Sequence, residues 1–164
     1  MWSRFMAWCC SPLISLVFRW ALGGIFLYAG LIKTCDPHGF ALAIYNYQIL
    51  PGWMINPMAI LMPGVEIMVG VSLLFGIRAQ AGALIATGLL GVFALALGIS
   101  LIRGLDIACG CFSTSSSVGS ITWLYLLRDL ILMVMSVHVF FLDHEIASVD
   151  RLIQKKLYEK VNSE

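Results

Sequence analysis

Residues 56–75, NPMAILMPGVEIMVGVSLLF, are followed by GIRAQ at 76–80 and then by AGALIATGLLGVFALALGISL at 81–101. Each apolar run is close to the roughly 20 residues that an α-helix needs to cross about 30 Å of hydrocarbon. Neither run alternates polar with apolar, and isolated strands would leave backbone groups unpaired in lipid. Residues 76–80 allow only a tight reversal. The whole stretch therefore predicts an antiparallel hairpin of two membrane-spanning helices.

Two further runs of the same kind lie outside it: Leu13–Ile32, LISLVFRWALGGIFLYAGLI, and Ile121–Leu142. The first has the position of a secretory signal. It carries Arg19 internally, however, and continues into LIKTCDP without a small-residue cleavage site, so it reads as a span. Composition agrees. The 164 residues are 60% hydrophobic and 12% charged, against about 45–50% and about 25% in soluble domains. One small soluble core cannot bury that excess. The expectation is an all-α membrane protein: a four-transmembrane-helix bundle with short interfacial helices. Residues 1–144 form the transmembrane domain and 145–164 a cytoplasmic amphipathic tail. A net charge of +1 gives no basis for nucleic-acid binding.

An even number of spans puts both termini on one side. Arg4, Arg78, Arg151, Lys155, Lys156 and Lys160 fall on that side, while Lys33 and Arg103 flank the other. The positive-inside rule makes the termini cytoplasmic. In a bacterial inner membrane, the loops bearing Cys35 and Cys109/Cys111 then face the oxidising periplasm.

Phe40, Ile44, Tyr47 and Leu50 share a helical face after the first span, with Tyr45 and Trp53 nearby, which fits a short interfacial helix. In the tail, Ile146, Val149, Ile153 and Leu157 form a stripe apart from Lys155, Lys156 and Lys160. This is either a basic helix lying on the anionic leaflet or a solvated tail that supplies topology charges. Ala83, Thr87 and Gly91 recur at the four-residue spacing that lets helices approach closely.

Five cysteines cannot all pair within one chain. Cys109 and Cys111 flank Gly110 ahead of the loop STSSSVGS. On a continuous helix, residues two apart point away from each other, but glycine permits the tight turn that pairing requires. So small a ring closes too little chain to act as a staple, and a strained, accessible disulfide is the reactive kind. Cys35, in KTCDPHGF, begins the other external loop and can relay by exchange. Lys33 and Arg103 favour a thiolate on that side, and Asp36 and Asp106 oppose one. The same atoms, Cys35, His38, Cys109 and Cys111, also make a Cys3His set for zinc or a soft cation, though C-x-C is shorter than the usual spacing. Incidental thiols are the third reading. Cys9 and Cys10 lie near the cytoplasmic end of the first span and read as acylation sites or as plain thiols.

Arg19, Glu66, Arg128 and Asp129 interrupt apolar runs. Such residues face the bundle interior in pairs. Glu66 with Arg19 or with Arg128 is the expected pair. It forms either a polar pocket for a quinone head or small anion, or an ion pair that fixes helix register. Pro57 and Pro63 predict a kink beside Glu66.

The segments RWALGGIFLYAGLIKTCDP, YNYQILP, MPGVEIMVG, IRGLDIACGCF and LLRD, spread from Arg19 to Asp129, resemble the MauE (methylamine utilisation) branch of the DoxX-like membrane proteins. The resemblance implies a four-helix membrane protein that helps mature a disulfide-rich periplasmic enzyme subunit, with quinone-coupled sulfur chemistry among the DoxX relatives. The architecture is also similar to quinone-linked disulfide generators of the DsbB and vitamin K epoxide reductase type. On that basis Cys109 and Cys111 are the redox pair and a quinone is the implied cofactor. Arg19, Glu66, Arg103 and Arg128 are the cofactor-site candidates, and Lys33 and Asp36 are further motif positions. The leading expectation is a thiol–disulfide oxidoreductase. Its catalytic cysteines are Cys109, Cys111 and Cys35, and its partner is a periplasmic thioredoxin-like or cysteine-rich protein. The alternatives are a soft-metal binder and a non-catalytic assembly subunit.

Overall fold

The computed structural model describes residues 12–103 and 123–142. Cys9, Cys10, Asp106, Cys109, Cys111 and the tail at 145–164 lie outside the described residues. The helices, in chain order, are α1 (Pro12–Cys35), α2 (Pro37–Asn46), α3 (Gly52–Phe75), α4 (Ala79–Ile102) and α5 (Trp123–Leu142). All but α2 are long and apolar enough to cross a membrane. The protein is an all-α membrane protein, with four spanning helices among the described residues.

Local chemistry sets the element ends. α1 stops where Pro37 removes a backbone N–H, and Asp36 caps α2 by accepting a 2.9 Å hydrogen bond from Gly39 N. α3 starts at Gly52, ahead of the Asn56 predicted from the apolar run. Pro51 supplies an extended N-cap (φ −65°, ψ 145°), and Pro57 and Pro63 both sit inside an unbroken helix. α3 ends in a left-handed Gly76 (φ 66°), with Ile77 N bonded to Ser72 O at 3.0 Å. Arg78 is also left-handed (φ 48°) and precedes α4, so the turn closes within GIRAQ as the hairpin requires.

The bundle consists of two intimate pairs, α1–α3 and α4–α5, joined by slimmer contacts. The α1–α3 seam is backbone against backbone. A Cβ on Gly70 would lie 2.7 Å from Leu27 N and 2.9 Å from Gly23 O, and one on Gly30 would lie 2.9 Å from Pro63 O. Only glycine permits this approach. The close approach predicted at Ala83, Thr87 and Gly91 is corrected in part. Ala83 and Thr87 do meet α5, where Ser136 Oγ donates to Ala83 O (2.8 Å) and accepts from Thr87 Oγ1 (3.0 Å). A Cβ on Gly91 would touch nothing within 4 Å.

The four spanning helices bury one stripe each. On α1 the stripe is Ser15, Arg19, Leu22, Phe26, Ala29 and Lys33, spaced alternately four and three residues apart. On α5 it is Asp129, Leu132, Ser136 and Val139. Leu22, Phe26, Val69, Leu73, Ala83, Ala86, Leu90, Leu132 and Val139 form the apolar core. α2 is the short helix expected after the first span. Phe40 and Ala43 are buried on its inner side together with Tyr47, the residue that caps its end, while Leu42 and Tyr45 stay exposed. Tyr47 packs with Leu97, and Arg103 Nη1 donates to Gln48 O at 3.4 Å. α2 thus bridges from the end of α1 to the end of α4.

Candidate functional site

Both ends of α1's buried stripe are charged. Lys33 is 2% exposed, and its Nζ donates to Glu66 Oε1 of α3 at 2.5 Å. The ammonium also lies 4.9 Å from the ring centroid of Phe40 on α2 and 4.9 Å from that of Phe93 on α4. These cation–π contacts compensate part of the lost hydration. Two expectations are corrected here. The partner of Glu66 is Lys33 rather than Arg19 or Arg128. Lys33 is turned into the bundle, where it is committed to a carboxylate, so it is not an external charge beside the Cys35 thiol. The reason is geometric. Lys33 continues the inward stripe of Leu22, Phe26 and Ala29, and its long side chain reaches back to Glu66.

Asp129 is 2% exposed and begins the buried stripe of α5. Arg128, its neighbour in sequence, donates to Asp129 Oδ1 from Nε (3.1 Å) and Nη2 (2.8 Å). The Arg128 guanidinium is about a third exposed and lies over Tyr125, 5.5 Å from the ring centroid. Each carboxylate therefore spends one oxygen on a cation. Glu66 Oε2 and Asp129 Oδ2 are buried and take no hydrogen bond among the described residues. Lys33, Glu66, Arg128 and Asp129 line one small cavity of about 30 Å³, together with Phe26, Leu90, Phe93 and Leu132. Unpaired buried oxygens facing a common space suit a molecule that donates hydrogen bonds.

A second, almost wholly apolar cleft of about 140 Å³ lies alongside, between α2, α3 and α4. Phe40, Tyr47, Met58, Met62, Phe93 and Ala96 are among its walls, and Phe93 belongs to both spaces.

The other candidates are dispersed. Arg19 is fully buried on α1, two heptads before Lys33 and so about 21 Å away along the axis. Near it, Phe18 packs edge-to-face on His138 with centroids 5.1 Å apart. Arg103 stands at the end of α4 against Gln48. Cys35 is exposed at the end of α1 as a free thiol, and His38 is exposed on α2. Among the described residues no group of three His, Cys, Asp or Glu side chains is placed to hold a metal. Two ligands of the Cys3His set, Cys109 and Cys111, lie outside the described residues. Glu66 and Arg128 share the cavity as candidates for one site, and Lys33, Asp129, Phe40 and Phe93 complete it. The periodicity of α1 was the signal for Lys33. Phe93 had no sequence signal beyond its place in an apolar run.

The family model for "Methylamine utilisation protein MauE" matches residues 11–142, which contain every described helix. The chain belongs to the MauE family. It is 33% identical over 123 residues to the methylamine utilization protein MauE of Paracoccus denitrificans, covering 74% of this chain and 66% of that one. It is 27% identical over 140 residues to the MauE protein of Methylophilus methylotrophus, covering 85% and 74%. With the MauE protein of Paracoccus versutus the identity is 32% over 127 residues, covering 77% and 68%. The chain thus spans roughly two thirds to three quarters of the length of these MauE relatives. No solved structure matches the chain.

Proposed function

We propose that this MauE-family protein acts in methylamine utilisation as a membrane thiol–disulfide oxidoreductase. It would sit in a bacterial inner membrane with its termini in the cytoplasm and its cysteine loop in the periplasm. Its reactive pair is Cys109 and Cys111, and its client is a periplasmic thioredoxin-like or cysteine-rich protein. The observation that carries the reading is the exposed Cys35 thiol at the end of α1. α2 links that end to Arg103. Its 10 residues cover about 15 Å as a helix. The six residues from Arg103 to Cys109 can extend to about 20 Å. Chain length therefore lets all three thiols meet.

The exchange balances without further reagents. A client thiolate attacks the Cys109–Cys111 disulfide, one loop sulfur leaves as a thiolate, and a mixed disulfide forms. The client's second thiolate then attacks its own sulfur in the mixed bond. The client gains a disulfide, and the loop holds two thiols after taking up two protons. Where the client's second thiol does not arrive, the Cys35 thiolate attacks the loop sulfur and frees the client, leaving a disulfide between Cys35 and the loop. Re-forming the loop disulfide needs an acceptor of two electrons and two protons, the chemistry a bound quinone supplies. Lys33, Glu66, Asp129 and Arg128 carry donors and acceptors of the kind such a group uses, but the space of about 30 Å³ between them does not admit its ring, so no step is routed through that cavity.

Thiol trapping on intact membranes tests the exchange. Added oxidant and reductant should switch Cys109 and Cys111 between blocked and free, and Cys111→Ala should accumulate a mixed disulfide through Cys109. If neither thiol changes state and the purified protein holds stoichiometric metal, the protein is a metal binder instead. If all three external cysteines can be replaced without loss of function, an assembly role stands in place of both.

A further inference from the structure

We propose that the small cavity between the two helix pairs is a binding site for water, held by Glu66 of α3, Asp129 of α5 and Lys33 of α1. Water binding there does not depend on thiol exchange.

Size sets the class of occupant. The space is about 30 Å³. A single water needs roughly 10–15 Å³, whereas a cavity that takes up benzene measures about 150 Å³. Rings and acyl chains are too large, and only a water-sized solute enters.

Charge narrows the choice. The formal charges of Lys33, Glu66, Arg128 and Asp129 sum to zero. A bare ion would leave an uncompensated charge against Phe26, Leu90, Phe93 and Leu132. The occupant is therefore neutral.

Hydrogen bonding decides between a dry cavity and a filled one. Apolar cavities stay empty, while buried waters sit where polar groups lack partners. Glu66 Oε2 and Asp129 Oδ2 are both buried and take no hydrogen bond among the described residues. The other oxygen of each carboxylate is engaged, by Lys33 in one case and by Arg128 in the other. A water brings two donors to these two bare acceptors, which stand on helices of opposite pairs. Lys33 spends one N–H on Glu66 Oε1, and an ammonium has three. A second N–H can therefore go to the water oxygen. That makes three polar partners, the usual number for a buried water.

The water completes a chain from Lys33 through Glu66 to Asp129 and Arg128. It runs from one helix pair to the other, where the direct contacts between them are slim. The two orphaned oxygens and the net neutrality of the four charges then have one cause.

The test is X-ray radiolytic footprinting of the full-length protein in detergent, with water itself as the probe. Hydroxyl radicals formed from a bound water oxidise the side chains beside it. Leu90 and Leu132 line the cavity, whereas Leu22 and Leu73 belong to the same apolar core but do not. Oxidation of Leu90 and Leu132, with Leu22 and Leu73 unmodified, is the expected result. Ala29 also lines the cavity, so Ala29→Val fills it without touching a charge and should abolish that oxidation. Lys33→Met/Glu66→Leu removes a donor and an acceptor together and should do the same. Cooperative thermal unfolding of each variant shows that it is folded. Unmodified Leu90 and Leu132 in the parent overturn the site. Equal oxidation of Leu22 and Leu73 overturns it as well, since water would then enter the core at large. So does oxidation that persists in both variants. An infrared C=O stretch of a neutral carboxylic acid at pH 7, lost in Glu66→Gln or Asp129→Asn, would mean that a proton serves the bare oxygens instead of water. A rise in unfolding temperature when sodium replaces choline, absent from the double variant, would make the occupant a cation. Either result overturns the proposal.

Discussion

The two helix pairs of the bundle are joined by opposite means. α1 and α3 meet through absence: Gly23, Gly30 and Gly70 remove side chains so that backbones touch. α4 and α5 meet through added polar groups, the Ser136 hydroxyl bridging Ala83 O and Thr87. The first seam tolerates no added atom, whereas the second can lose a hydroxyl and keep its apolar contacts. In lipid no hydrophobic force separates these solutions, so packing and interhelical hydrogen bonds decide them. The charged cavity sits where the pairs face each other, with Lys33 and Glu66 from the first and Arg128 and Asp129 from the second. Polar cost is thus concentrated between the pairs, where their mutual contacts are fewer.

The largest expected effect comes from breaking that junction on one side. Lys33→Met leaves Glu66 buried without its cation, and removing one partner of a buried pair costs about 3–5 kcal/mol. Unfolding of the detergent-solubilised variant should shift strongly downward. Lys33→Met/Glu66→Leu should recover most of the loss, because both charges leave together. A double variant as unstable as the single would show that Lys33 acts through packing on Phe40 and Phe93 rather than through its charge.

The glycine seam comes next. Gly70→Ala places a methyl 2.7 Å from Leu27 N, a contact that only a backbone shift relieves. Overpacking of this kind costs about 1–3 kcal/mol. Gly88→Ala, whose new methyl meets nothing within 4 Å inside α4, should leave stability unchanged or raise it by up to about 1 kcal/mol, since alanine is the better helix former. Equal destabilisation by the two substitutions would deny any special closeness between α1 and α3.

The spans were legible in the sequence because length and apolarity alone decide them, and the GIRAQ turn fixed the direction of one hairpin. The partners across the bundle were less so. Gly91 and Gly70 look alike in sequence, since each lies four residues after a polar residue (Thr87 and Glu66) in an apolar run, and only the register between helices tells them apart. Glu66 was recognisable as a buried charge, but choosing its partner needs that same register. Lys33 was misread because a basic residue near a helix end normally snorkels toward water. Its place on the stripe of Leu22, Phe26 and Ala29 outweighs that tendency. Phe40 and Phe93 became part of the site through α2 folding back over α3 and α4, a tertiary event that no local pattern encodes.

The hydroxyl seam should yield the smallest change. Ser136→Ala removes one bond to Ala83 O and the acceptor for Thr87, but the single Thr87 hydroxyl proton, shared between Ser136 Oγ and Ala83 O, then goes wholly to Ala83 O within its own helix at 2.9 Å. Interhelical side-chain hydrogen bonds in membranes average about 0.6 kcal/mol. The loss should be near that figure, with no cavity large enough to add to it. Thr87→Val should cost a similar amount, and the double variant less than the sum of the two, since they share one bond. Thermal unfolding of the three proteins in one detergent measures the coupling. Full additivity would mean that Ser136 and Thr87 do not act together, leaving the Ser136–Ala83 bond as the polar link between α4 and α5.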